Sequence, residues 1–169
     1  MFTLKMLGAL IVGTGVALYG FGISREITEK NRVQRALIKV LYELERGISA
    51  KRTICEIFSC YTNDNTCEEI PPKLQKALCE KSEKPLYNAL KQYDGINLLE
   101  HTLRNELFDF AIHLGTYGNI DEEIGCCRKV RRLVEERKNE CEPADKQRAE
   151  LTAKLGVLAA GAIVIIVGL

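Results

Sequence analysis

The chain has 169 residues, with 24 Lys and Arg, 23 Asp and Glu, and seven cysteines. Because the charges nearly cancel, a protein that binds nucleic acid by neutralising phosphates is disfavoured. The odd set of cysteines contains no Cys-x-x-Cys pair, so neither a zinc site nor a disulfide framework is indicated. Every charged residue except Lys5 lies between Arg25 and Lys154, which leaves about 130 residues for one domain between two apolar ends.

The first apolar stretch runs from Met6 to Ile23, eighteen residues in which Tyr19 is the one ionisable group. At about 1.5 Å per helical residue it nearly matches the roughly 30 Å core of a bilayer, so we expect an N-terminal transmembrane anchor over residues 1–23. The alternative is a cleaved signal peptide, with Lys5 as its positive region, on an exported helical protein. It is disfavoured because the apolar region of a signal peptide is usually only about 7 to 15 residues long.

Glycines recur at a spacing of seven in both apolar ends. Seven residues are close to two helical turns, so each set lines one face of its helix. Small residues on a membrane helix let backbones approach closely, which favours a packing face in each end. The alternative is that glycine is simply common in membrane helices. The two predicted faces consist of Gly8, Gly15 and Gly22 in the first end and Gly161 and Gly168 in the last.

An amphipathic helix is predicted from Ser24 to Ile48, where apolar residues follow the three-and-four spacing of one helix face. We expect it to stop near Gly47 and a short second helix to run from Thr53 to Cys60. Residues 61–72 are rich in Asn, Asp and Pro and predict a surface loop.

Two short helices follow, Pro72–Cys79 and Pro85–Tyr93. Each begins at a proline, which the first helical turn tolerates because no backbone donor is needed there. Asp94-Gly95 should break the second of them. From Leu98 to Leu114 the apolar residues define another amphipathic helix, which we expect at the centre of the core.

The segment before the last helix contains Gly115 and Gly118, and glycine supplies the backbone freedom that a tight reversal between two helices needs. Asn119 or Asp121 is expected to cap the helix that follows. That helix runs on towards the second apolar stretch, and Pro143 should kink it. No segment outside the apolar ends alternates with the period of two typical of a strand, so the fold should be all-α.

The second apolar stretch, Leu155–Leu169, has fifteen residues. It spans a bilayer only if Lys154 extends its charge to the surface, the bilayer thins or partners shield its ends. Basic residues follow the first stretch and precede the second, and cations are retained on the cytoplasmic side. The sequence therefore predicts a two-pass membrane protein. Residues 24–154 form a cytoplasmic helical bundle of about five or six helices between transmembrane helices at 1–23 and 155–169.

Residue patterns for catalysis are missing from the sequence. It has no phosphate-binding glycine loop with a lysine, no nucleophile elbow and no pair of histidines at helical ligand spacing. His101 and His113 are the two histidines, and the carboxylates alternate with Lys and Arg as solvated helix faces do. We therefore predict a protein that is not an enzyme, with no catalytic residue, cofactor or metal site. The alternative from another class is a membrane-tethered redox or metal sensor that uses the seven cysteines.

Several short motifs stand in order along the chain. They are the glycine-rich first end, Arg35-Ala36-Leu37, Leu44-Glu45, the turn with Leu114-Gly115, Gly118 and Asp121, and Lys154-Leu155-Gly156-Val157-Leu158-Ala159. In this order and spacing the chain resembles the stage III sporulation protein AB family over nearly its full length. It departs from the family pattern at Tyr117-Gly118, where Leu-Gly is more usual, and at Ala50-Lys51, where Tyr-Gly is expected.

The resemblance implies a helical bundle similar to the cytoplasmic domain of inner-membrane platform proteins in type II secretion and type IV pilus machines. It implies a non-enzymatic scaffold in the secretion-like channel complex between mother cell and forespore, located in the mother-cell membrane around the forespore. The implied partners are a cytoplasmic secretion-type ATPase (stage III sporulation protein AA), the other membrane proteins of the same operon, membrane lipid and further copies of the chain. Gly115, Gly118, Asp121 and Gly156 join the two glycine faces as residues expected to shape the fold or its contacts. For the turn glycines the alternative is that they only maintain the fold.

Overall fold

The computed structural model of the chain describes residues 2–59, 70–80, 82–116 and 118–168. All elements in these ranges are helical, which confirms the predicted all-α fold. They are α1 (Phe2–Ser49), α2 (Ile54–Ser59), α3 (Pro72–Cys79), α4 (Pro85–Gln92), a 3-10 helix (Asp94–Leu98), α5 (His101–His113) and α6 (Ile120–Gly168). Residues 61–69 of the predicted loop lie outside the described residues.

The two predicted membrane spans are not separate helices. The structure gives residues 2–49 as one helix, α1, and residues 120–168 as another, α6. Within the described ranges, neither of these nor any other helix contains a segment of the length and apolarity needed to cross a membrane. The predicted transmembrane helices at 1–23 and 155–169 are therefore not supported by the structure, which makes them the ends of two longer helices that also carry charged residues.

The chain divides into two compact units. The central unit is Lys30–Asn139, and the terminal unit combines Met1–Glu29 with Glu140–Leu169. Each of the two long helices contributes residues to both units. The three-part division predicted from the sequence, with boundaries at residues 23 and 154, concerns the membrane and stays a prediction.

The core of the central unit is built by the apolar faces that the sequence predicted. On α1, Leu37, Leu41 and Leu44 recur on one face and are at most 1% exposed. On α5, Leu107 and Phe110 are 1% and 3% exposed. Because full burial of one such side chain contributes roughly 1.5–3 kcal/mol, these two faces supply much of the stability of the bundle. The short helices complete the core with Phe58, Leu74, Leu78 and Leu90.

Gly47 lies in the last turn of α1, which ends near this residue as predicted. The helix continues to Ser49, and a Cβ atom at Gly47 would overlap the side chain of Ile57 on α2. The glycine therefore permits α2 to pack closely on α1. Just beyond the helix, Lys51 has a φ of 56°, and the N–H of Arg52 donates to the carbonyl of Gly47 at 3.0 Å.

The starts of the short helices follow local rules that the sequence makes visible. α3 and α4 begin at Pro72 and Pro85, as predicted. α2 begins with a capping box: the N–H of Thr53 donates to Oε2 of Glu56 at 2.8 Å, and the N–H of Glu56 donates to Oγ1 of Thr53 at 3.3 Å. These hydrogen bonds from Thr53 lower the pKa of Glu56.

The start of α5 differs from the sequence prediction, and the kink predicted in α6 is a separate point. α5 begins at His101 and not at Leu98, because residues 94–98 form the 3-10 helix that follows the break at Asp94. Pro143 lies inside α6, which continues on both sides of it. The kink predicted at this proline stays a prediction.

Candidate interaction surfaces

The reversal between α5 and α6 depends on Gly115. This residue has a φ of +84°, a conformation that side chains other than glycine rarely adopt, and an added Cβ would lie 3.0 Å from Cδ1 of Ile54. Its N–H donates to Oε1 of Glu123 at 2.6 Å, so a carboxylate in the first turn of α6 satisfies the backbone just beyond α5. The predicted role of Gly115 in shaping the turn thus has a conformational cause.

Asn119 caps α6, which decides between the two capping residues that the sequence left open. Its Oδ1 accepts the N–H of Asp121 at 3.2 Å. Asp121 instead lies in the first turn with Glu122 and Glu123, where carboxylates are favourable near the positive end of the helix. Gly118 is exposed, and a Cβ added to it would meet nothing within 4 Å.

An ion-pair cluster joins α1 to α6 in the central unit. Oε1 of Glu45 accepts from Nε and Nη2 of Arg128 at 2.9 and 2.8 Å, and Oε2 accepts from Nε and Nη2 of Arg131 at 3.2 Å. Arg131 also donates to Oε1 of Glu135 at 2.7 Å, and its guanidinium carbon lies 5.9 Å from the ring centre of Tyr42. The side chains of Glu45 and Arg131 are 14% and 21% exposed and that of Arg128 is 50% exposed, so the contact with Arg131 is the better shielded from water.

Cys127 lies beneath this cluster. Cys127 is fully buried, and its Sγ donates to the carbonyl of Leu41 at 3.2 Å. Burial, followed by the negative charge of Glu45, raises the pKa of the Cys127 thiol to about 12. A thiol of this kind is protonated at neutral pH and is a poor nucleophile and metal ligand.

The cysteine-based alternative gains no support from the described residues. No disulfide joins the five cysteines that the structure describes, and no cluster of three or more His, Cys, Asp or Glu side chains in these ranges could hold a metal ion. Cys60 and Cys67 lie outside the described residues.

In the terminal unit, the backbones of α1 and α6 lie close together at Gly20 and Gly156. A Cβ on Gly20 would lie 2.9 Å from the carbonyl oxygen of Thr152, and a Cβ on Gly156 would lie 3.5 Å from Cα of Gly20. Both residues are buried. Two glycines facing each other therefore let the two backbones approach closely.

The glycine faces predicted from the spacing of seven lie elsewhere on these helices. A Cβ added to Gly15, Gly22 or Gly161 would meet nothing within 4 Å. Gly8 and Gly168 lie outside the residues whose contacts are described. A role of these glycines in packing against other subunits stays a prediction, and within the chain the contact is made by Gly20 and Gly156.

Among the residues that join α1 to α6, sequence reasoning singled out Gly156 but missed Gly20 and the partners of Glu45. Glu45 was noticed as part of Leu44-Glu45, but its partners are 83 and 86 residues further along the chain, and no local pattern connects them. A weak signal was available for Gly20, which precedes Gly22 by two residues and so belongs to another face of the same helix. The spacing of seven favoured the wrong glycines for the contact within the chain.

The fold is all-helical, and α1 contacts α6 through the carboxylate of Glu45 and through Gly20 and Gly156. These features define a protein organised by contacts between long helices. The chain belongs to the stage III sporulation protein AB family, whose family model matches residues 5–167 of 169. This family places the chain in stage III of sporulation and has no known catalytic role. No curated protein and no solved structure was found to match the chain.

Proposed function

We propose that the chain is a non-enzymatic membrane scaffold in the secretion-like channel complex between mother cell and forespore, where it docks a cytoplasmic ATPase. The observation that carries this proposal is the match of the family model to residues 5–167, which covers almost the whole chain. The proposed partners are the stage III sporulation protein AA, an ATPase, and the membrane proteins of the same operon. Self-association of the chain is part of the same proposal.

The build of the central unit supports a docking role. Its helices enclose a continuous apolar core, and the Glu45 cluster fixes α1 against α6. A subunit that holds a partner in place needs a surface whose shape is set before binding, because the free energy of ordering the surface is then not subtracted from the affinity. Similarity to the platform proteins of secretion systems belongs to this proposal.

The membrane part of the proposal is supported by the sequence and by exposed apolar side chains. On α1, Leu18 and Tyr19 are 70% and 73% exposed, and on α6, Leu155 and Leu158 are 62% and 68% exposed. Apolar patches of this kind mark surfaces that lipid or partner proteins cover. The proposed topology has two passes, with the central unit in the cytoplasm of the mother cell and both termini on the other side of its membrane.

The ATPase part is tested by reconstituting the purified full-length chain in nanodiscs and adding purified stage III sporulation protein AA. Sedimentation should detect a complex with the loaded nanodiscs and none with empty nanodiscs. Failure to form this complex would overturn the docking claim.

The topology is tested with Cys55, which is exposed on the central unit. In intact cells a membrane-impermeant thiol reagent should leave Cys55 unmodified, and after permeabilisation it should label it. A variant that keeps Cys55 as its single cysteine makes the result specific. Labelling before permeabilisation would place the central unit on the wrong side of the membrane.

A further inference from the structure

A groove runs between α5 and α6 on the outside of the central unit, with a volume of about 430 Å³. Glu106 lines it from α5, the half-buried Leu133 of α6 supplies its accessible apolar surface, and the core residue Val130, which is 6% exposed, lies at its inner side. Gly125, Lys129, Arg132 and Glu136 follow one another along a single face of α6, since their spacings are four, three and four residues.

Gly125 has no explanation within the described fold. It is exposed in the interior of α6, and an added Cβ would meet nothing within 4 Å. Glycine in a helix interior is unfavourable relative to alanine, so the residue costs stability without relieving any contact in the described part of the chain. Its effect is to leave one end of the groove without a side chain, which lets the backbone of an occupant approach α6.

The cations of the groove differ from their neighbours on α6. Arg128 also lines the groove, but Glu45 binds it and Arg131, whereas Lys129 and Arg132 are exposed and form no ion pair within the described residues. Two free cations beside an apolar strip are complementary to a segment that carries carboxylates around apolar side chains. Glu106 and Glu136 also line the groove, so the carboxylates of an occupant must be confined to positions that face Lys129 and Arg132. A helix can place its charges in this way, whereas a polyphosphate or an anionic lipid surface is negative throughout.

We propose that this groove docks an acidic amphipathic helix of the partner, stage III sporulation protein AA, with its carboxylates on Lys129 and Arg132 and its apolar face on Leu133. The inference rests on the proposed docking function and names the surface and the kind of segment that it binds. A helix fits because the groove follows α6, and helix-in-groove recognition buries an apolar face between two flanking helices.

The charge component is tested by measuring the affinity of the reconstituted full-length chain for stage III sporulation protein AA. The double substitution Lys129→Glu and Arg132→Glu should weaken binding at least tenfold and make it less sensitive to salt. The matched control is Lys73→Glu with Lys91→Glu, two exposed lysines on α3 and α4 that undergo the same change of charge. Equal affinities for the two double variants and the unaltered chain would overturn the groove while leaving ATPase docking intact.

The shape component is tested at Gly125, where substitution favours the helix and so should not unfold the chain. Gly125→Leu should weaken binding at least tenfold by occupying the groove, and Gly125→Ala should have a smaller effect. Unchanged affinity of Gly125→Leu would contradict docking in the groove.

A photo-crosslinking residue at position 106, introduced as Glu106→p-benzoylphenylalanine, identifies the occupant in sporulating cells. The crosslinked peptide should be a helical segment rich in Asp or Glu with an apolar face. Such a segment from a protein other than the ATPase would overturn the ATPase as the occupant of the groove. Crosslinks to a second copy of the chain, or none, would overturn the groove as a partner site.

Discussion

The carboxylate of Glu45 on α1 binds the guanidinium of Arg131 on α6 through two nitrogens, at 3.2 Å each, across 86 residues of sequence. The same carboxylate binds Arg128 with its other oxygen. One side chain therefore joins the first and last helices of the central unit, and its negative charge helps to raise the pKa of the buried thiol of Cys127.

Removing the charge of Glu45 should destabilise the central unit. In Glu45→Gln the two arginines keep their charges but lose their shared anion, and Arg131 is only 21% exposed. We expect a loss of about 2 kcal/mol in the free energy of unfolding, measured by denaturant titration. The control is Glu43→Gln, since Glu43 faces Arg46 at 3.8 Å on the surface and should contribute less than about 0.5 kcal/mol. Equal losses for the two variants would show that the cluster adds no stability.

Cys127 should react with thiol reagents far more slowly than Cys55. The first is fully buried with a raised pKa, and the second is exposed. Two variants that each keep one of these cysteines should be labelled by a chromogenic disulfide at neutral pH. Cys55 should react at once, and Cys127 should react only as the chain unfolds. Fast labelling of Cys127 under native conditions would contradict its position in the core.

The same burial predicts a pH dependence of stability. The pKa of Cys127 rises from 9.0 to about 12 on folding, so above pH 9 the unfolded chain releases a proton that the folded chain retains. Stability that is fully present below pH 9 should be lost as the pH rises towards 12, by about 1.4 kcal/mol per pH unit at most. Cys127→Ala lacks this group and serves as the control, because lysines and tyrosines titrate equally in both proteins. If the free energies of unfolding of the two proteins changed with pH in the same way, the raised pKa of Cys127 would be refuted.

Lys51→Gly should stabilise the chain. Lys51 is the one residue other than glycine with a positive φ in the described ranges, and the family pattern leads us to expect glycine there. Relief of the strained conformation should add about 0.5–1 kcal/mol to the free energy of unfolding. Ala50→Gly is the neighbouring control and should destabilise, because the N–H of Ala50 still makes the helical bond to Arg46 at 3.1 Å. A loss of stability in Lys51→Gly would contradict the left-handed conformation.

Gly20→Val should separate α1 from α6 in the terminal unit, and Gly15→Val should not. A Cβ at Gly20 meets the backbone carbonyl of Thr152 at 2.9 Å, whereas a Cβ at Gly15 meets open space. Spin labels at Leu18 and Leu158, both exposed, report the distance between the helices in detergent micelles. Gly20→Val should lengthen and broaden this distance, while Gly15→Val keeps it. The opposite ranking would restore the glycine face predicted from the spacing of seven.

Local rules in the sequence were sufficient to predict where most helices begin and which of their faces are buried. Pro72 and Pro85 mark helix starts because their missing N–H is not needed there, and the spacing of Leu103, Leu107 and Phe110 shows which side of α5 is buried. Such features depend on residues within a few turns of one another, so periodicity and capping residues reveal them.

Contacts between distant segments could not be obtained in this way. The pairing of Gly20 with Gly156 depends on how α1 and α6 are rotated about their axes, which the spacing of glycines along one helix does not determine. α1 ends near Gly47 as expected, but the contact that requires a glycine comes from Ile57 on the next helix. In the same way, the arginines that bind Glu45 become visible only when α6 is packed on α1.

The most direct test of the scaffold account measures where the ATPase, stage III sporulation protein AA, lies in sporulating cells. Its distribution between membrane and soluble fractions should be compared in cells with the chain, cells without it and cells complemented with it. The account predicts that the ATPase is bound to the membrane when the chain is present, is released in its absence and returns on complementation. A distribution that is the same in all three would contradict it.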